Sequence, residues 1–363
     1  MCGGIPTVEI DTLNAYWNAF PHLRNEIFYF NDTPYSSIAV EDVAQTIQSS
    51  NDIEAYFNQF NSAFADFTDY LRKKLIFGLN HMEINANEDE LSSNIFARLS
   101  SVPLVDKYEA YQILDGSWSV ISADMETIQR DGFAATRCVD PNMVQKKKEG
   151  KETEIQEGWI GRILPFDLVQ HYLLTSELAE LKAHDDRLAE ICSAYEEELD
   201  ALSEEDKEAD FVNEEKTGFV WAEVKKAIKA KEVEANTFAI LKWVLALNEE
   251  EKKLKKQVKE ESAKLHLKTK EIIETLSDDM VLQLLEYKWI TPLVEALGHL
   301  PKAVVNTLSK RITALAEKYE TTLNDLEADI TRTEQDFCVM IDDLTGNEYD
   351  MKGLAELQKL LRG

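Results

Sequence analysis

The GxG spacing is missing from this chain. None of its 13 glycines stands two residues from another, and no GxxxxGK[ST] loop occurs. Both arrangements work by letting the backbone approach a phosphate, so the dinucleotide fingerprint and the phosphate-cradling loop are excluded. HExxH and GxSxG are absent as well, which removes the commonest zinc-hydrolase and nucleophile-elbow chemistry. The four cysteines, Cys2, Cys138, Cys192 and Cys338, lie far apart with no CxxC or Cys/His spacing. Reduced thiols in a cytoplasmic protein are therefore expected. No apolar run approaches the ~20 residues that cross a bilayer, and Met1-Cys2-Gly3-Gly4 does not read as a signal peptide. The expectation is a chain with no membrane partner. Basic charge is also scarce: 39 lysines and arginines stand against 68 acids, for a net −29. That argues against a free-standing nucleic-acid binder, though not against a subunit that reaches DNA through one patch.

What the chain does have is helical periodicity. Between 166 and 202, Leu178, Leu181, Leu188, Cys192, Tyr195, Leu199 and Leu202 recur at spacings of three, four or seven. This is the narrow stripe of a coiled-coil seam. A second periodic segment at 304–344 carries Leu308, Ile312, Leu315, Tyr319, Leu323, Leu326, Ile330 and Phe337. Antiparallel packing of the two predicts a stalk. Charge is segregated along it: 176–215 holds 16 acids and 3 bases, and 225–270 holds 13 bases and 7 acids. These segments could attract each other or select different partners.

Taken in order, Asp11 is expected to cap a first helix bearing Leu13, Tyr16, Trp17 and Phe20, with a break at Pro21. Asn31-Asp32-Thr33-Pro34 reads as a turn. Tyr56, Phe60, Phe64, Phe67, Leu71 and Leu75 make an aromatic helix face, expected to be core. Asp115-Gly116-Ser117 is expected to end a helix. The one expected β element is a pair of short strands around 145–152, the second near 153–164. Asn236 is a possible helix cap, and 287–292, ending in Pro292, predicts a bend. The class is mainly α: a helical head with a small β-hairpin insertion, followed by long coiled-coil-like helices. The domains are expected at 1–164 (head), 165–345 (long-helix docking domain) and 346–363 (tail).

Candidate chemistry is thin. His22 and His171 sit beside apolar residues and read as structural groups, and His184 as solvated. Cys192 reads as a small core residue, Glu196-Glu197-Glu198 as a solvated face. No sequence signal marks a buried carboxylate able to act as a general acid. No catalytic, cofactor-binding or metal-binding residue is assigned. Lys146, Lys147 and Lys148, with Lys151, form a compact basic cluster at the expected hairpin turn. It is either a solvated tip or a set of phosphate contacts.

Several stretches, in order, resemble the C-terminal part of the M (modification) subunit of type I restriction–modification systems, in its longer form. They are Gly3-Gly4-Ile5-Pro6, Ile10-Asp11-Thr12-Leu13-Asn14-Ala15-Tyr16-Trp17, Phe20-Pro21-His22-Leu23-Arg24 and Asp106-Lys107-Tyr108-Glu109-Ala110-Tyr111-Gln112 with Trp118. Then come Gly158-Trp159-Ile160-Gly161 before Leu164-Pro165, Tyr287-Lys288-Trp289, Leu308-Ser309-Lys310-Arg311-Ile312 and Leu315-Ala316-Glu317-Lys318-Tyr319-Glu320. The resemblance extends from residue 3 to about residue 337. It implies a subunit that is complete elsewhere as an adenine-N6 methyltransferase using S-adenosylmethionine. That subunit works with a specificity (S) subunit and a restriction (R) subunit on double-stranded DNA. The family's FxGxG-like and [ND]PP[YF] motifs are missing: no GxG occurs, and none of the eight prolines precedes another. The target base, flipped from the duplex, would have no stacking and amine-holding motif here.

The expectation is a portion following the methyltransferase domain, whether a fragment, a split-gene product or a recombinantly expressed piece. It would bind no cofactor of its own. Its helices would dock on the S subunit through Leu178, Leu181, Leu188, Tyr195, Leu199 and Leu202 and help close the complex on DNA. A stand-alone methyltransferase with unrecognised motifs and an acidic DNA mimic that blocks restriction are the competing expectations.

Overall fold

The computed structural model describes residues 4–30, 34–79, 83–148, 151–231, 233–319 and 323–361, apart from the side chains of 85, 146–148, 151–153, 323–327, 348, 360 and 361. Helix makes up 75% of the described residues, with two small sheets among them, the mainly α class expected.

Strand β1 (Ile5–Pro6) leads into three short helices, α1 (Thr7–Asp11), α2 (Asn14–Ala19) and α3 (Leu23–Ile27). One long helix capped by Asp11 is not formed. Asp11 instead closes α1, and its carboxylate accepts a 2.7 Å hydrogen bond from Arg24 Nη2. Ile10, Leu13, Trp17, Phe20, Leu23 and Ile27 are buried, so the periodicity did mark a core face. β2 (Phe28–Phe30) and β3 (Tyr35–Ile38) pair antiparallel, and β1 adds to β3, in the order β1-β3-β2. This sheet was not expected, because strands of two to four residues offer too little alternation to read. The turn expected at 31–33 lies outside the described residues.

α4 (Val43–Ser49) and α5 (Asn51–Phe64) begin at side-chain acceptors. Asp42 takes the Gln45 N–H and Ser50 takes the Asp52 N–H, each satisfying a donor the helix leaves open. The aromatic stripe continues through α6 (Phe67–Leu71) and a π-helical turn, Arg72–Ile76. Tyr56, Phe60, Phe67, Leu71 and Leu75 are buried, as a core face should be. α7 (Ile84–Leu99) and α8 (Lys107–Asp131) follow. α8 runs through Gly116, where an end was expected. A mid-helix glycine costs about 1 kcal/mol, less than is gained by burying Leu114, Trp118, Ile121 and Met125 on one face.

β4 (Val139–Lys148) and β5 (Lys151–Gly161) form an antiparallel hairpin. α9 (Phe166–Leu173) starts after Pro165, and the helix expected to run on to 202 breaks at Leu174 before α10 (Thr175–Asp200). α11 (Trp221–Ala230) ends on left-handed Lys231, and α12 (Ala235–Thr275) is capped at Glu234 rather than Asn236. α13 (Asp278–Lys318) then carries Pro292 and Pro301 in its interior, so the helix is not interrupted where a bend was expected. Each such proline costs about 3 kcal/mol. Trp289, Ile290, Leu293, Leu297 and Leu300 are all buried along this stretch, at roughly 1.5–3 kcal/mol per side chain, and packing overrides the breaker. α14 (Leu323–Asp342) and α15 (Glu348–Leu361) complete the chain.

Two compact units result: Met1–Val120 with Ile290–Gly363, and Ile121–Trp289. The divisions fall inside α8 and α13, not at 164/165 and 345/346 as the sequence reading placed them. The two periodic segments expected to pair therefore sit in different units, and α10 finds its partner elsewhere.

Candidate docking surfaces

Inside the internal unit (121–289), α10 packs antiparallel on α12. Pairs across the seam run in opposite senses: Glu177 with Lys268, His184 with Glu261, and Arg187 with Glu250. Leu199 and Leu202 are buried with Phe211, Val224, Leu241 and Val244, and Ile191 is buried against Leu247 and Leu254. Leu178, Leu181, Leu188 and Tyr195 are half-buried. Of the six proposed docking positions, Leu188, Tyr195, Leu199 and Leu202 thus pack in clusters that include α12 of the same unit. Cys192 is exposed, correcting its core assignment, and Ile191 takes the seam position instead. His184 is not merely solvated: its Nδ1 lies 2.9 Å from Glu261 Oε2.

The polar rim of this seam is strongly paired. Arg187 Nε and Nη2 donate to both oxygens of Glu250, and the guanidinium holds that carboxyl below its usual range. Hydrogen bonds from Lys268 and Ser176 hold Glu177 down at about 2. Burial, and then donation to Glu251 Oε2 at 2.9 Å, push the Tyr195 phenol well up.

The hairpin is tied to α12 at its base. The Trp159 N–H donates to His266 Nε2 at 2.9 Å, and Lys270 Nζ stands 4.0 Å from the Trp159 ring centre, a cation–π contact. Gly158 adopts φ +76°, and a Cβ there would lie 2.6 Å from His266 Nε2. Only glycine meets both conditions. At the other end, the register sets Lys146 opposite Thr153, Lys147 opposite Glu152 and Lys148 opposite Lys151. The side chains of these four lysines, the expected phosphate contacts, lie outside the described residues. Between base and tip, Met143, Ile155 and Ile160 are exposed.

One buried carboxylate was missed. Asp124, on the apolar face of α8, accepts from Lys288 Nζ and, at 2.8 Å, from Trp289 Nε1; Lys288 also donates to the Ile163 carbonyl. A lone acid between Ile121, Met125 and Ile128 was the available signal. With an ammonium and an indole N–H both directed at its Oδ2, Asp124 joins α8 to the segment at 288–289.

In the other unit, α14 and α15 pack together through Cys338 and Ile341, and Gln358 Nε2 donates to the Cys338 carbonyl and to Asp342. Most of the remaining apolar surface of α14 is uncovered: Ile330, Phe337 and Met340 are about half or more exposed, as is Leu344 just past its end.

This unit also has two open grooves. One lies between Gly4, Ser36, Ser37 and Tyr319, the other between Leu13, Arg311 and Lys318. Gly4, the one glycine present, is packed on strand β3, where a Cβ would lie 2.8 Å from Ser36 O. Among the described residues, no three His, Cys, Asp or Glu side chains converge as a metal site, and no helix is long and apolar enough to cross a membrane. Set against known proteins, the chain matches no family model, no curated protein and no solved structure.

Proposed function

We propose that this chain is a non-catalytic assembly module, the C-terminal region of a type I restriction–modification methyltransferase subunit. It docks by helix packing on the DNA-specificity subunit and helps close the complex on duplex DNA. The observation that supports this most is where the family-like words fall. Asp11 and Arg24 join α1 to α3, Gly158-Trp159 forms the hairpin joint with His266, and Lys288-Trp289 grips Asp124. Words at joints rather than on solvated faces are what a shared fold requires.

With α10 closed by α12, the docking element is the open face of α14. The S subunit is the partner that covers it, and the R subunit joins the assembled complex. The lysines at the hairpin tip, Lys146, Lys147, Lys148 and Lys151, supply phosphate contacts as point charges. Methyl transfer, with its S-adenosylmethionine, belongs to the preceding domain of the complete subunit. Co-expression with the S subunit of the same system tests the reading. The wild-type chain is expected to co-purify, and Phe337→Asp with Met340→Asp to abolish the complex. Co-purification of that variant at the wild-type level would remove α14 as the docking element. Calorimetric binding of S-adenosylmethionine by this chain alone would overturn the non-catalytic assignment. Unchanged duplex binding after Lys146→Glu with Lys148→Glu would remove the lysine tip from the interface.

A further inference from the structure

The open stripe of α14 has flanks of one sign. With Ile330 at heptad position a, Phe337 is the next a and Met340 the following d. These side chains are 56%, 48% and 66% exposed. The positions beside the stripe, e and g, are Asp329, Glu334, Asp336, Ile341 and Asp343. Ile341 is buried, so the exposed e and g positions are all acids, of which Asp329 is paired with Arg332 at 2.7 Å. Over 323–361 the chain carries 10 acids and 3 bases.

Such flanks constrain what can cover the stripe. In a parallel pair of α14 helices, g of one faces e of the other; in an antiparallel pair, e faces e and g faces g. Wherever Asp329, Glu334, Asp336 or Asp343 of one copy met another of them, acid would face acid, so pairing with a second copy is opposed in both orientations. Anionic lipid is repelled for the same reason. A helix with its own apolar seam and basic margins turns each meeting into an attraction while burying Ile330, Phe337 and Met340.

We propose that α14 takes an amphipathic helix of another polypeptide whose apolar heptad is flanked by lysine or arginine. This rests on the reading of α14 as the docking arm and names the chemistry of its partner. Charge selects that partner by penalising wrong ones as much as by attracting the right one.

The test uses the full chain and two labelled peptides of about four heptads, with the same Ile/Leu seam and either lysine or glutamate at every e and g. Fluorescence anisotropy is expected to show the lysine peptide binding at least about tenfold tighter than the glutamate one. Raising salt from about 0.1 to about 0.5 M should narrow the gap, since exposed pairs are screened. Glu334→Lys with Asp336→Lys and Asp343→Lys should reverse the ranking. These positions are exposed or half-exposed, so circular dichroism should show unchanged helix content. Equal binding of the peptides, binding of neither, or a dimer of the chain by sedimentation would each overturn the proposal. Association with phosphatidylglycerol vesicles through the same stripe would do so too.

The two failures are separable. If Phe337→Asp with Met340→Asp abolishes the S-subunit complex but the peptides are not discriminated, the docking reading stands and the charge rule falls. If that variant leaves the complex intact while the peptides are discriminated, the S-subunit assignment falls and the charge rule stands.

Discussion

In α10, leucines, Ile191 and Tyr195 recur along one face, and α12 folds back to cover them. In α14, Ile330, Phe337 and Met340 recur in the same way and face water. Their margins differ in kind. The closed seam is rimmed by opposite charges that meet across it, Arg187 with Glu250 and Lys268 with Glu177. The open one has acids at its exposed e and g positions, and the one basic partner beside them, Arg332, is on the same helix and pairs with Asp329. A periodic stripe says that a helix has something to bury; the charges beside it say whether the cover comes from the same chain.

The contrast breaks first at the level of stability. Val244 is fully buried in the closed seam, so Val244→Asp should cost about 3–5 kcal/mol, the scale for burying an unpaired charge. Phe337→Asp with Met340→Asp should stay within about 0.5 kcal/mol per site, because exposed positions tolerate change. Urea melts of both variants decide the matter, and equal losses would mean that α14 is covered in solution.

An intermediate effect is expected at the other surface of α12. Gly158→Ala meets an unfavourable φ and the His266 ring together, at about 1–3 kcal/mol. Faster exchange of the Trp159 amide would show the hairpin base leaving α12, while an unchanged rate would mean that α12 holds it by other contacts.

The smallest expected effect is in the rim. The Glu177 pKa is lowered from 4.5 to about 2, so its contribution is present above about pH 4.5 and is lost as pH falls through about 2. Glu177→Gln should therefore lower the melting temperature slightly at pH 6 and match the wild type near pH 2. A gap that persists at low pH would assign the effect to packing instead.

Much of the local structure was legible, and the long-range pairing was not. The stripe on α10 showed in the leucines, but a strict seven-residue count put Cys192 on it. A straight helix drifts about 20° per heptad from that count, and at 3.6 residues per turn Ile191 takes the place. The identity of the covering helix was not legible, since it depends on the break at Leu174 and on the loop that returns α12 rather than on either helix's own pattern. Pro292 read as a bend because local cost is visible in sequence and the burial of Trp289 and Leu293 is not. The open stripe on α14 was read as stalk for the complementary reason: Ile330 and Phe337 signal a seam, and nothing in their spacing says that it stays uncovered. Asp124 was passed over because one acid on an apolar face looks like noise until Lys288 and Trp289 are brought to it.

That last joint governs how the chain can be cut. Asp124 and Ile163 lie upstream of 164, and Lys288 and Trp289 lie 164 and 165 residues beyond Asp124. A truncation at 164/165, the boundary that composition suggests, separates the carboxylate and the carbonyl from the ammonium and the indole they satisfy. Each half would then carry a polar group shaped for burial and deprived of its counterpart. A dissection that respects the fold keeps 121–289 in one piece and does its cutting in the segments outside it.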